Sequence, residues 1–200
     1  MPMATQTTPS VTGAKGKARE RVWNLPNNLS LFRILAVPLL VWLLSRQDPT
    51  ADLWAAAVFA VAAATDMLDG YLARRNRQVT AMGKLLDPLA DKLLVCGALI
   101  MLIPAGVVPA WAVFLIVGRE LAVTGLRGAA ASRGTVMAAS FTAKYKTTFQ
   151  IAAALLLMLP GEAWGVELRE AGLVVLWAAL ALTLWSGLDY FIRFYKSLSE

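Results

Sequence analysis

The sequence predicts an all-α integral membrane protein of six transmembrane helices with both termini in the cytoplasm. Three observations lead there. Hydrophobic residues make up 58% of the 200-residue chain and charged residues 16%, whereas a soluble domain carries about 25% charged residues. The apolar residues fall into six segments, roughly 29–45, 52–73, 84–103, 108–128, 142–159 and 171–194, each near the ~20 residues a helix needs to cross the hydrocarbon core. With the N-terminus inside, the outer loops 46–51, 104–108 and 160–170 hold only Arg46 and Arg169 among the basic residues, the asymmetry that sets topology.

Each element follows from its residues. Positions 1–20 are rich in Thr, Ser, Gly, Pro and Lys, and read as a disordered cytoplasmic tail without the apolar core or cleavage site of a signal peptide. Residues 21–200 form the six-helix membrane domain. Its segments are Ala/Leu/Val runs without two-residue alternation, so they are helices rather than strands. Asp48-Pro49, Pro104 to Pro109 and Pro160-Gly161 supply turns between them. Trp42, Trp54, Trp111 and Trp164 cluster near the outer ends, as an interfacial belt would.

Composition also excludes chemistry. The net charge of +6 would suggest nucleic acid in a soluble protein, but in a membrane protein it reads as topology, and no nucleic-acid partner is expected. A single cysteine, Cys96, rules out an intrachain disulfide and reads as apolar filler. With no histidine in the chain, any metal site must use oxygen ligands, chiefly Asp and Glu.

The second segment ends in Asp66-Met67-Leu68-Asp69-Gly70-Tyr71-Leu72-Ala73-Arg74, and Gly83-Lys84-Leu85-Leu86-Asp87-Pro88-Leu89-Ala90-Asp91-Lys92 opens the third. Asp66 and Asp69 stand three apart and Asp87 and Asp91 four apart, spacings that put each pair on one helix face. The short connection makes the helices antiparallel neighbours, so the four carboxylates can converge. Ionised together in a partly buried site, they repel, and each costs desolvation energy if unpaired. Divalent cations relieve both problems. Hard oxygen ligands point to Mg²⁺ or Mn²⁺, and four carboxylates suit a pair of ions ~3.5–4 Å apart that can hold a diphosphate. Gly70, Ala73 and Gly83 leave room for a bulky ligand or for close helix packing. Arg74 is placed to meet a phosphate. Singly, each piece has an ordinary reading as a cap, a packing residue or a positive-inside charge. Together the eight positions match by chance on the order of once in a million or less.

That pattern, Asp66-x2-Asp69-Gly70-x2-Ala73-Arg74-x8-Gly83-x3-Asp87-x3-Asp91, matches the full signature of the CDP-alcohol phosphotransferase family, which the chain resembles over most of its length. Leu25 to Arg33 resembles the family's approach to its first span. Gly118-Arg119-Glu120-Leu121, Thr124-Gly125-Leu126-Arg127 and Lys144 to Gln150 resemble the branch that makes phosphatidylglycerophosphate, with Ala143 in place of a common Gly and Ser30 in place of a common Thr.

The resemblance implies a multi-pass inner-membrane enzyme, homodimeric, whose active site faces the cytoplasm. It would transfer a substituted phosphate from a CDP-linked donor to an alcohol and release CMP. In that branch the donor is CDP-diacylglycerol and the acceptor sn-glycerol 3-phosphate. Carried over by motif position, Asp66, Asp69, Asp87 and Asp91 hold two divalent cations, and Asp91 is also the general base. Asn27, Ser30, Arg33, Asp66, Asp69, Gly70, Ala73, Arg74 and Gly83 bind the CDP donor. Attack on the lipid-linked phosphorus is direct, since no Ser–His or Cys–His pair exists to carry a covalent intermediate. The acceptor brings a phosphate dianion, which Arg119, Arg127, Lys144 and Lys146 at the inner ends of the fourth and fifth segments would meet. Positive-inside topology puts basic residues there as well. Arg193 is a further candidate, Glu120 is expected to pair with and orient a neighbouring Arg, and Asp189 has no role assigned.

Two other readings compete. An enzyme of the same family acting on inositol phosphate would need a similar phosphate pocket. A small cation transporter would also carry intramembrane carboxylates, but transporter sites usually lie near the midplane. Here the carboxylates lie at the inner ends of adjacent segments beside Arg74 and Lys92, which favours a surface reaction with a cytosolic partner.

Overall fold

The structure, a computed structural model, describes residues 25–76, 81–132, 141–163 and 165–199, with backbone alone at 25–27, 66–76, 81–85, 87, 141–144 and 197–199. The tail expected at 1–20 and the interfacial Trp164 lie outside the described residues.

Among these residues, six helices follow one another: α1 (Leu25–Leu44), α2 (Pro49–Asn76), α3 (Ala81–Met101), α4 (Ala110–Ser132), α5 (Phe141–Met158) and α6 (Leu168–Ser199). Each apolar segment of the sequence corresponds to one helix, with ends shifted by a few residues. Among the described residues, the α5–α6 connection also carries a short antiparallel hairpin of two two-residue strands, pairing Glu162 with Glu167 and Ala163 with Val166. The turn before α2 shows why that helix starts where it does. Asp48 Oδ2 accepts the Ala51 N–H at 3.2 Å, an N-cap, and Pro49 fills the first helical position, where its missing N–H costs nothing.

The helices form two groups. α1 packs on α2 and α3, and α4 and α5 pack on α6; contacts of α2 with α5 and of α3 with α4 and α5 join the groups. Leu40, Phe59, Leu94, Leu99, Ile116, Leu157 and Leu176 fill the core. Much of the remaining interface is alanine: Ala55, Ala56, Ala62, Ala98, Ala112, Ala153, Ala154 and Ala179 are all buried. Apolar solvent gives no hydrophobic drive between helices, so small residues that let backbones approach are what such a bundle needs. Around the outside, Leu35, Trp54, Phe114, Leu121, Val174 and Trp185 are exposed. A ring of large apolar side chains facing outward fits lipid and not water.

Among the described residues, α6 is the helix long and apolar enough to cross a membrane, over Leu168–Lys196 with a hydropathy of 1.9. Asn28–Leu44 and Pro49–Thr65 are shorter apolar stretches. α4 falls short because it carries Arg119, Glu120 and Arg127. At the end of the bundle where α6 begins, Arg169 Nη2 pairs with Asp52 Oδ2 at 3.1 Å, and Arg46 lies 5.0 Å from the centre of the Trp42 ring. Both basic residues expected outside are therefore held by neighbours.

α5 and α6 approach closely at Gly172, where a Cβ would stand 2.8 Å from Leu157 Cγ and 3.0 Å from Leu157 N. A backbone nitrogen cannot swing aside as a side chain can. Gly172→Ala is therefore expected to cost about 1–3 kcal/mol through overpacking, read as a lower melting temperature in detergent. An unchanged melting temperature would show that the interface yields freely.

Candidate active site

The aspartate motif sits on continuous helix. α2 remains helical through Asp66 and Asp69 to Asn76, and α3 carries Asp87 and Asp91 near its start. The helical backbone keeps the three- and four-residue spacings on one side of each helix, and the helices contact each other and share α1 as a neighbour. Asp91 is half-buried, between fully buried Ala90 and Lys92. Ser30 and Arg33 of α1 are both at 0% exposure, so this segment enters the bundle with its polar side inward. Asn27, Asp66, Asp69, Gly70, Ala73, Arg74, Gly83, Asp87 and Lys144 are among the residues described by backbone alone.

At the same end of the bundle, α4, α5 and α6 share a buried polar network. Arg119 is its strut: Nε donates to the Thr183 carbonyl at 3.0 Å, Nη2 to Ser186 Oγ at 2.8 Å and Nη1 to Glu120 Oε1 at 2.9 Å. Its guanidinium carbon also lies 5.9 Å from the centre of the Tyr190 ring. The expected pairing of Glu120 with a neighbouring Arg is therefore present. The same Oε1 accepts a second charged donor, Lys146 Nζ from α5. One turn after Lys146, Gln150 Nε2 donates to Thr183 Oγ1 at 3.0 Å. One turn after Glu120, Thr124 Oγ1 donates back to the Glu120 carbonyl at 2.6 Å and receives Lys92 Nζ from α3. Lys92 directly follows Asp91, so the network reaches a helix of the aspartate motif. A Cβ at Gly187 would stand 3.0 Å from Arg119 Cγ; the bare backbone lets the arginine lie across α6.

Burial decides what this network means. An unpaired charge in so apolar a bundle would be costly, and here three charges, two positive and one negative, sit in hydrogen-bonding contact. The group keeps a net positive charge, with Lys92 adding another nearby. Such a site can attract an anion. The remaining acceptor candidates are placed differently. Arg127 is exposed, about two turns beyond Arg119. Arg193 is exposed and pairs with Asp189 at 2.9 Å, which gives Asp189 a partner along its own helix.

Sequence reasoning missed Lys92, Thr124, Thr183, Ser186 and Tyr190 as parts of this site. A faint signal existed. Thr183, Ser186 and Tyr190 fall at i, i+3 and i+7 of an otherwise apolar helix, one polar stripe where α6 should have none. Thr124 and Gln150 likewise follow Glu120 and Lys146 by four.

A divalent metal can be tested against the donor set. Among the described residues no cluster of three or more carboxylate, thiol or imidazole groups occurs. The motif's oxygen donors, spaced three and four apart on two touching helices, fit hard cations and offer soft ones nothing.

Comparison with known proteins covers most of this arrangement. The CDP-alcohol phosphatidyltransferase profile matches residues 23–185, which include the aspartate motif and the Arg119–Glu120–Lys146 network. The chain is 40% identical over 189 residues to the CDP-diacylglycerol–glycerol-3-phosphate 3-phosphatidyltransferase of Bacillus subtilis, covering 88% of this chain and 98% of the relative. It is 39% identical over 169 residues to the protein of the same name from Rickettsia bellii, covering 84% and 93%. A probable phosphatidylglycerophosphate synthase of Mycobacterium tuberculosis is 42% identical over 178 residues, covering 88% and 83%. The chain belongs to the CDP-alcohol phosphatidyltransferase family.

Proposed function

We propose that this protein transfers the phosphatidyl group of CDP-diacylglycerol to sn-glycerol 3-phosphate, giving phosphatidylglycerophosphate and CMP. The observation that carries the reading is the buried Arg119–Glu120–Lys146 group at the same end of the bundle as the intact aspartate motif. The motif answers a CDP-linked donor, and the cationic group answers an acceptor that carries its own phosphate. The names of the relatives agree with both halves.

In this reading the chain is a homodimer of six-span protomers in the cell membrane, with both termini and the active site on the cytoplasmic side. Asp66, Asp69, Asp87 and Asp91 would hold two divalent cations, Mg²⁺ or Mn²⁺. When bound, such ions supply positive charge against the diphosphate and the departing CMP. The protein's own groups do the rest. Ser30, Arg33, Asn27, Gly70, Ala73, Arg74 and Gly83 position the cytidine diphosphate. Arg119, Arg127, Lys144 and Lys146 draw in the acceptor's phosphate and leave its hydroxyl toward the donor. Asp91 takes the hydroxyl proton as the oxygen attacks the lipid-linked phosphorus. The new P–O bond forms, the bond to the bridging oxygen breaks, and that oxygen leaves on CMP.

The test is CMP release by the purified protein in detergent with CDP-diacylglycerol and Mg²⁺ or Mn²⁺, comparing glycerol 3-phosphate, inositol phosphate, serine and no acceptor. Release with glycerol 3-phosphate alone, abolished by EDTA and restored by either metal, is the expected result. Release with inositol phosphate in preference would overturn the acceptor, and release unaffected by EDTA would overturn the metal site.

A further inference from the structure

We propose that Glu120 is a positioning residue for the acceptor: its carboxylate, shared between Arg119 and Lys146, holds the two cations side by side where the acceptor's phosphate binds. The inference rests on the reading of a phosphorylated acceptor given above. A carboxylate inside an anion site would by itself repel the ligand.

The geometry supplies the answer. Glu120 Oε1 accepts both Arg119 Nη1, at 2.9 Å, and Lys146 Nζ. The side chains of Arg119 and Lys146 are only 7% and 6% exposed, so two bare cations there would repel at low dielectric. The carboxylate between them removes that repulsion and still leaves a net positive charge. The two cations are not held alike. Arg119 is also anchored to α6 through Thr183 and Ser186, and three of its five guanidinium N–H groups are engaged. Lys146 reaches the network from α5 on a flexible stem, and its contact with Glu120 fixes the end of that stem. An ammonium has three donors, so the one given to Glu120 orients the others. Without the carboxylate, Arg119 keeps its place on α6 and Lys146 loses its own.

The experiment is a double-mutant cycle of Glu120→Gln and Lys146→Met in the full-length enzyme, with Glu120→Asp as the conservative variant. Each variant is assayed with glycerol 3-phosphate and with inositol phosphate, and stabilisation by added glycerol 3-phosphate is measured by thermal unfolding. Glu120→Gln is expected to raise the acceptor KM roughly tenfold or more and the donor KM by no more than about twofold. Glu120→Asp should recover most of that loss. Because Glu120 acts through Lys146, the double variant should be no worse for the acceptor than Lys146→Met alone. Multiplied effects, or equal rises in both KM values, would overturn the proposal. If Glu120→Gln does not fold, Glu120→Asp and the double variant, whose buried charges again sum as in the wild type, decide it by the same two readouts. A wild type that prefers inositol phosphate overturns the acceptor assignment alone, since the cycle is then read with that substrate. Undiminished stabilisation of Glu120→Gln by glycerol 3-phosphate overturns the positioning role, whatever the turnover.

Discussion

Replacing Asp91 with Asn is expected to leave the helical bundle intact and to remove nearly all turnover. The substitution keeps the size of the side chain, in a half-buried position that a near-isostere can occupy without repacking. It removes the charge and with it the proton acceptor. A positioned general base contributes about 10²–10⁴-fold, and the same carboxylate is one of the four proposed metal ligands, so a loss at or beyond the upper end of that range is anticipated. Donor binding should survive, because three carboxylates, Ser30 and Arg33 remain. The check is kcat for CMP release together with binding of CDP-diacylglycerol by the purified variant. Activity within about tenfold of wild type would remove Asp91 from the base role. A variant that neither folds nor binds donor would make it a structural group instead.

Arg119→Leu should act first on stability. The guanidinium connects α4 to α6 through the Thr183 carbonyl and Ser186 Oγ, and it neutralises part of Glu120. A leucine fills much of the volume but offers none of these donors. Breaking a buried pair commonly costs 3–5 kcal/mol. The lower end, about 3 kcal/mol, applies here because Lys146 still pairs with Glu120. For a chain of this size that corresponds to a fall of roughly 6–12 °C in melting temperature. Glycerol 3-phosphate should also lose most of its ability to stabilise the protein. A variant as stable as wild type, with an unchanged acceptor KM, would mean that the α4–α6 contact is incidental and that apolar packing at Ile116, Leu176 and Ala179 holds these helices together.

The contrast between these two residues shows what could be read without coordinates. The role proposed for Asp91 is legible because it is local. Its proposed partners stand four residues before it and on the helix just preceding, and helical spacing alone puts each pair on one face. Arg119 is legible in the sequence as a cation in the fourth apolar segment and a candidate for the acceptor's phosphate. Its position in the sequence cannot distinguish a phosphate ligand from a topological signal or a strut, because all three demand a cation in the same place. In the structure it donates three hydrogen bonds to protein acceptors.

The same distinction holds across the molecule. Sequence alone determined the helical class and the helix positions to within a few residues, because Ala/Leu/Val runs of about 20 residues without two-residue alternation favour helix over strand. It also determined that the aspartates of each pair share a helix face, since residue type and helical spacing suffice for that. Only the tertiary structure decided that Glu120 is shared with Lys146, 26 residues away, and that Arg119 crosses to Thr183 and Ser186, 64 and 67 residues away. Those contacts come from the packing of α5 on α6 and α4 on α6. The polar stripe of Thr183, Ser186 and Tyr190 marks one face of α6, but helix packing depends on small residues and shape, so no spacing in the chain says which buried charge meets that stripe.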